Sequence, residues 1–279
     1  MEHNKSAAQA ALKPGCVSTR TALPTLRETI LFGLAKPADP RGWAAMSAMA
    51  RLVMTPDGRP LRTIITGRRR VVTGFYGSCK ARRGLVYESM NERAFFIHSE
   101  VDTSVVDYMC QPFRFEFVLD GAWRIYIADC VRQRADGGLE VIEVKHDHRG
   151  LRDPDYAEKL AAVRQICNVL GWGFRIVHGA PLRERTARNL NVEAVQLYRF
   201  AHYGSREVFA ASELCERAGG AIALGRLAEG IAERRLGTAQ ACAMMVGRVL
   251  DIDLDARRLS DAPVSLVGLA AGPLVGRTA

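Results

Sequence analysis

The 279-residue sequence predicts an α/β protein followed by a smaller helical unit, and three observations carry that reading. Residues 113–119, 124–131 and 139–145 are apolar-rich runs of strand length, separated by Asp120-Gly121 and Asp136-Gly137-Gly138, both hairpin-turn signals. Residues 155–170 then carry Leu160, Val163, Ile166, Cys167 and Leu170 at the spacing of one helix face. Beyond Gly204 the pattern changes to short helical stretches between glycines.

Taken in order, residues 1–60 are weakly periodic, rich in Ala, Pro, Ser and Thr at their start, and read as a partly ordered basic N-terminal arm. Between 62 and 76, Thr63, Ile64, Ile65, Thr66, Val71, Val72 and Thr73 stand among arginines, which predicts short strands near a basic surface. Residues 87–99 lack Pro and Gly and place Met90, Ala94, Phe95 and Ile97 on an irregular apolar stripe, which predicts a helix. The three runs between 113 and 145 predict an antiparallel meander. Gly171-Trp172-Gly173 ends the helix of residues 155–170, and residues 174–178 have strand length and composition. Helices are expected at 207–217, 222–235 and 238–249, with a two-stranded ribbon at 251–255 and 263–267. Three helices and a ribbon make residues 205–279 winged-helix-like, a fold that reads DNA or docks protein.

Hydrophobic residues make up 48% and charged residues 25%, which excludes a disordered chain. The weakly polar run 264–276 is too short to span a bilayer and is broken by Pro273, and residues 1–19 lack the apolar core of a secretory leader. The expectation is a soluble cytoplasmic protein that does not touch a membrane. Seven scattered cysteines without a CxxC pair argue against a disulfide framework and against a zinc knuckle. The net charge of +9 is uneven: residues 1–91 hold 15 Lys or Arg against 5 Asp or Glu, and residues 92–279 hold 24 against 25. Arg68, Arg69, Arg70, Lys80, Arg82 and Arg83 form the densest part and are the expected DNA-binding residues, since clustered cations release counterions from phosphate. A solvated basic face or attraction to anionic lipid carries the same charge signature.

The chemistry lies on the second and third runs. Asp129 sits among Ile125, Ile127 and Val131, and Glu143-Val144-Lys145 closes the next strand. Neighbouring strands bring Asp129 and Glu143 together, and Glu143 and Lys145, two apart, share a face. Two carboxylates at one edge suit Mg²⁺, and a lysine beside them can orient or deprotonate a water or offset charge on a phosphoryl group. Asp followed by Glu-x-Lys after a hairpin is the pattern of the PD-(D/E)xK nucleases. Glu88 and Glu92, four apart on the predicted helix, offer a third acidic group for a second metal or the attacking water. His146 and His148 read as a solvated turn, Cys110 lacks a histidine partner, and Lys159 and Arg164 on the following helix read either as phosphate contacts or as a solvated face.

Gly77-Ser78-Cys79-Lys80, the segment 87–93, the segment 100–107 and Gln111-Pro112 together resemble TnsA-type endonucleases, subunits of the heteromeric transposases of Tn-seven-like elements. The resemblance runs from about residue 77 to 178 and includes Asp129, Glu143 and Lys145 in order. It implies a restriction-endonuclease-like core over residues 61–204 and Mg²⁺-dependent hydrolysis, with Mn²⁺ substituting, of one DNA strand (the 5′ strand) at transposon ends. It also implies a DDE-type (TnsB-like) transposase that cuts and joins the other strand, and an AAA+ (TnsC-like) ATPase regulator. Carried over residue by residue, the catalytic set is Glu92, Asp129, Glu143 and Lys145, with Asp129, Glu143 and Glu92 on the metal. Ala128 stands where many relatives have proline, which bears on backbone shape, and Gln111-Pro112 takes a structural role in a turn. The alternatives are a stand-alone nuclease of the same superfamily, of Holliday-junction resolvase or restriction type, and a non-catalytic DNA-binding assembly factor.

Overall fold

The computed structural model describes residues 24–55, 59–61 and 72–268. Residues 24–55, expected within a partly ordered arm, instead form α1 (Leu26–Ala35), α2 (Pro40–Met46) and β1 (Ala50–Met54). A reciprocal cap starts α1: the Glu28 N–H donates to Thr25 Oγ1, and the Thr25 N–H donates to Glu28 Oε2 at 2.8 Å. The helix buries Leu26 and Ile30, so two well-placed side chains anchor a segment of otherwise weak periodicity.

Then follow β2 (Gly74–Ser78), β3 (Arg83–Tyr87), α3 (Met90–Val101), β4 (Val105–Cys110), β5 (Phe113–Leu119), β6 (Ala122–Ile127), β7 (Cys130–Arg134) and β8 (Leu139–Lys145). After β8 come α4 (Pro154–Leu170), β9 (Gly173–His178) and α5 (Ala187–Leu197). The expected three-stranded meander is not formed. The run 124–131 divides at Ala128-Asp129 into two strands of different sheets: β6 joins β1 and β5 in the order β1-β5-β6, whereas β7 lies in the order β4-β7-β8-β9. The β6 ladder ends at Ile127 opposite Arg114, and β7 opens with Cys130 opposite both Cys110 and Ile142. At the junction, Asp129 Oδ2 accepts the Val144 N–H at 2.8 Å, and the Asp129 carbonyl accepts the Gln111 N–H at 3.2 Å. The side chain thus takes a donor that regular pairing would give to a carbonyl. α4 crosses over between the parallel strands β8 and β9.

β8 is buried on both faces. Ile142 and Val144 join a core with Phe95, Phe96 and Tyr108, while Leu139 and Val141 join a second core with Phe113, Phe115 and Trp172. α4 feeds the second core with Leu160, Val163, Ile166, Cys167 and Leu170, the face its sequence predicts. It ends at Gly171, whose φ of +77° disfavours a side chain.

The C-terminal part comprises α6 (Ser205–Arg217), β10 (Ile222–Ala223), α7 (Leu224–Ile231), α8 (Arg234–Val246), β11 (Leu250–Ile252) and β12 (Pro263–Leu266). The helix expected over 222–235 is a two-residue strand and a shorter helix, because Glu233 accepts the N–H groups of Arg235 and Leu236 and starts α8. The ribbon gains a third strand, in the order β10-β12-β11. Leu227, Met244 and Val264 belong to the same core as Phe95 and Ile142. Among the described residues no helix is long and apolar enough to cross a membrane, and Cys110, Cys130, Cys167, Cys215 and Cys242 are not in disulfides.

α3 is tied down at its far end by the Gly77–Lys80 segment. Glu100, fully buried, accepts from Ser78 Oγ, the Cys79 N–H and Tyr108 Oη, each at 2.7 Å. Removing one donor leaves a buried carboxylate short of a partner, which costs about 1–3 kcal/mol. Tyr108→Phe should therefore lower the unfolding free energy by about that amount. Denaturant titration checks it, and a change of only a few tenths would show that Glu100 does not depend on this bond.

Candidate active site

The C-terminal end of β8 presents Glu143 and Lys145 on the side of the sheet covered by α4. Glu143 is 3% exposed, and its Oε1 lies 2.7 Å from Lys145 Nζ. The Tyr156 hydroxyl, in the first turn of α4, donates to that same oxygen. The Lys145 ammonium also stands 4.5 Å from the centre of the Tyr156 ring, and Lys159 stands 4.9 Å from it. Asp129, one position before Cys130 in the β7–β8 ladder, falls opposite Glu143.

The electrostatics follow from this crowding. Burial pushes the Asp129 carboxyl well above the usual carboxylate range, and Glu143 adds to the rise. The Val144 N–H and Lys145 pull it back, and Glu92 pushes it further up. On Lys145, burial works to lower the pKa, but the charge of Glu143 and hydrogen bonds to Glu143 and Tyr156 outweigh it, so the ammonium is held above its ordinary value. The buried Tyr126 phenol is likewise raised, by burial first and then by Glu143 and Asp129.

Glu92 is placed differently from the other three. Ser89 caps α3, Glu92 Oε1 accepts from Ser89 Oγ at 3.0 Å, and Glu92 Oε2 accepts the Glu88 N–H at 2.8 Å. Burial raises its pKa against these two bonds, with Glu88 and Glu143 adding to the rise, so its charge is felt at the site. Among the described residues no group of three or more His, Cys, Asp or Glu is arranged to hold a metal ion, and Glu92 acts on Asp129 and Glu143 through its charge. Glu88 lies before the helix rather than on its face, and it accepts from Gln111 Nε2 at 2.8 Å. Gln111 itself adopts a φ of +43° between β4 and β5, in keeping with a structural role in the turn.

Of the expected DNA-binding residues, Arg68, Arg69 and Arg70 lie outside the described residues. Lys80 turns inward: its ammonium donates to the carbonyls of Ser99 and Asp102 at the end of α3, and burial pushes its pKa down to about 7 against the pull of Glu100 and Asp102. It therefore holds a helix end rather than facing a phosphate. Arg82 and Arg83 are exposed at the turn between β2 and β3. His146 and His148 are exposed, and His146 Nδ1 lies 3.4 Å from Asn91 Nδ2.

Two residues at this edge escape sequence reasoning. Tyr156 could have been found from Asp153-Pro154, a helix-start signal that puts position 156 in the first turn after the Lys145 strand. His178 pairs with Lys145 in the β8–β9 register, on the same face, and its Nδ1 is buried without a hydrogen-bond partner. A cavity of about 530 Å³, lined by residues such as Phe95, His98, Arg132, Arg188 and Met245, lies away from this edge.

With this geometry in view, residues 102–179 match the family described as TnsA-like endonuclease N terminal. That segment is a TnsA-like endonuclease domain. It runs from before β4 through β9 and contains Asp129, Glu143 and Lys145; Glu92 lies outside it. The mixed α/β arrangement is consistent with a restriction-endonuclease-like fold, and the domain with a nuclease related to Tn-seven-like transposition. No curated protein matches the chain. The crystal structure of protein VC1899 from Vibrio cholerae matches with 21% identity over 34% of this chain and 24% of that one, at a TM-score of 0.24. The chain thus spans about a quarter of that protein's length, and so slight a likeness carries no argument.

The upward shift of Asp129 has a testable consequence. A carboxyl with a raised folded pKa binds its proton more tightly in the folded state, so stability is highest below the unfolded value of about 4 and falls as pH rises towards the folded value. In metal-free buffer, thermal melts from pH 4 upward should show the wild type losing midpoint relative to Asp129→Asn as pH rises, which isolates this group from the other carboxyls. Equal pH slopes in the two proteins would show that Asp129 is not held above its ordinary range.

Proposed function

We propose that the chain is a Mg²⁺-dependent DNA endonuclease subunit of a Tn-seven-like transposase, hydrolysing the 5′ strand at transposon ends while a DDE-type transposase partner processes the other strand under an AAA+ ATPase regulator. The observation that carries this reading is the meeting of Asp129, Glu143 and Lys145 at one strand end within the matched endonuclease segment. Two carboxylates crowded together against a single ammonium form a hard-oxygen site with unrelieved negative charge, which suits a divalent cation that keeps several waters. Asp129 and Glu143 would hold it, and a bound Mg²⁺ supplies Lewis acidity and a more acidic water.

The remaining work falls to the chain. Lys145, 2.7 Å from Glu143 and over the Tyr156 ring, offers a donor and a positive charge towards the scissile phosphate. Glu92 shapes the field from its cap position and stiffens the start of α3. Arg82 and Arg83, together with Arg68, Arg69 and Arg70, supply salt-sensitive affinity for the DNA backbone. The order of three helices and three short strands after Gly204 supports the winged-helix-like reading of residues 205–279. Residues 204–279 hold 9 Lys or Arg against 9 Asp or Glu, a balance better suited to docking a protein partner than to gripping phosphate. Because α7 and α8 share a core with α3, this role is better probed by surface substitutions than by deletion.

Glu143→Ala should abolish nicking of transposon-end DNA, assayed with the partner transposase and Mg²⁺, while leaving DNA binding intact; Asp129→Ala should abolish it too, and Asp129→Asn, which keeps an oxygen for the Val144 N–H, should do so with the junction preserved. Lys145→Arg should lose most of the rate, since a planar guanidinium cannot reproduce a compact ammonium between Glu143 and the Tyr156 ring. Full nicking by Asp129→Ala would refute the assignment of the site.

A further inference from the structure

We propose that Tyr156 is a positioning residue, fixing the Glu143 carboxylate and the Lys145 ammonium relative to one another so that Glu143 faces the metal position; this rests on the metal-dependent nuclease reading above. Glu143 Oε1 receives two donors, the Tyr156 hydroxyl and Lys145 Nζ at 2.7 Å. Two donors on one oxygen set the rotation of the carboxylate plane. The same tyrosine also confines the lysine, because Lys145 stands 4.5 Å over its ring. One side chain thus touches both members of the pair, by its hydroxyl and by its π face.

The backbone supports this duty. Asp153 accepts the Asp155 N–H and Pro154 occupies the first helical position, so the turn that carries Tyr156 is firmly started. α4 is already anchored by Leu160, Val163, Ile166, Cys167 and Leu170, all buried, and does not need the phenol oxygen for packing. That oxygen therefore serves the charged edge rather than the fold. Donors to metal-holding carboxylates typically change metal affinity or activity by about 10–100-fold when removed.

The test uses the full chain as wild type, Tyr156→Phe and Asp129→Ala. Phenylalanine keeps the ring beneath Lys145 and removes only the hydroxyl. Mn²⁺ binding to the DNA-free protein is measured by water-proton relaxation, thermal midpoints are recorded, and nicking of transposon-end DNA with partner transposase and Mg²⁺ is resolved into kcat and KM. Tyr156→Phe should bind Mn²⁺ about tenfold more weakly and lose a similar factor in kcat, with KM for DNA unchanged and the thermal midpoint lowered only by the loss of one donor to a buried carboxylate. Wild-type Mn²⁺ affinity in Tyr156→Phe, with Asp129→Ala deficient, would overturn the role of Tyr156 and leave the metal reading standing. A change in KM alone would also overturn it, by making Tyr156 a DNA contact. No Mn²⁺ binding by the wild type itself would remove the metal reading and this role with it.

Discussion

The bond from the Val144 N–H to Asp129 Oδ2 is the joint on which the rest of the site depends. At this point the chain leaves the β1-β5-β6 sheet and enters the β4-β7-β8-β9 sheet. A strand changing partners leaves backbone groups to be satisfied, and an unpaired buried N–H costs about 1–3 kcal/mol. A short acidic side chain at the junction meets that need, and in doing so brings a carboxylate beside Glu143. Fold and chemistry therefore share one residue, and alanine at 129 would disturb both the junction and the charge.

The arrangement works against stability. Burial first, and the neighbouring Glu143 carboxylate second, both disfavour the charged form of Asp129. Lys145 relieves part of this through Glu143, and the Val144 N–H relieves part of it on Asp129. Neither removes the upward push on Asp129. The compensation lies elsewhere, in the core shared by α3, β8, α7 and α8 and in the Glu100 cluster that anchors α3.

What the sequence made legible was governed by how local the signal is. α4, β5, β8 and β9 are regular elements whose apolar spacing reports burial, and their limits in the structure follow the pattern within a residue or two. The meander was misread because residues 124–131 are continuous in composition, while the change of sheet at Asp129 depends on a long-range bond to Val144. Lys80 read as part of a basic patch because charge counts cannot tell an ammonium facing solvent from one closing a helix end. α5 has a mixed pattern: Asn189, Asn191 and Gln196 are buried beside Val192 and Val195 while Leu190 and Leu197 are exposed, so its apolar stripe is too short to announce it. Asn191 Nδ2 donates to the carbonyls of Leu254 and Ala256, contacts that exist only once the C-terminal strands are in place.

The resemblance that first singled out this chain divides, in the structure, into two physical kinds. Ser78, Cys79 and Lys80 converge on Glu100 and on the carbonyls of Ser99 and Asp102, and their spacing is set by the need to close the end of α3. Asp129, Glu143 and Lys145 converge at a strand end where the fold calls for one acidic side chain, at Asp129, and not for the second carboxylate beside it. A buried charge that closes a helix has a full set of donors, as Glu100 does, whereas one kept for a ligand remains under strain, as Asp129 does. That contrast separates the two groups without reference to any relative.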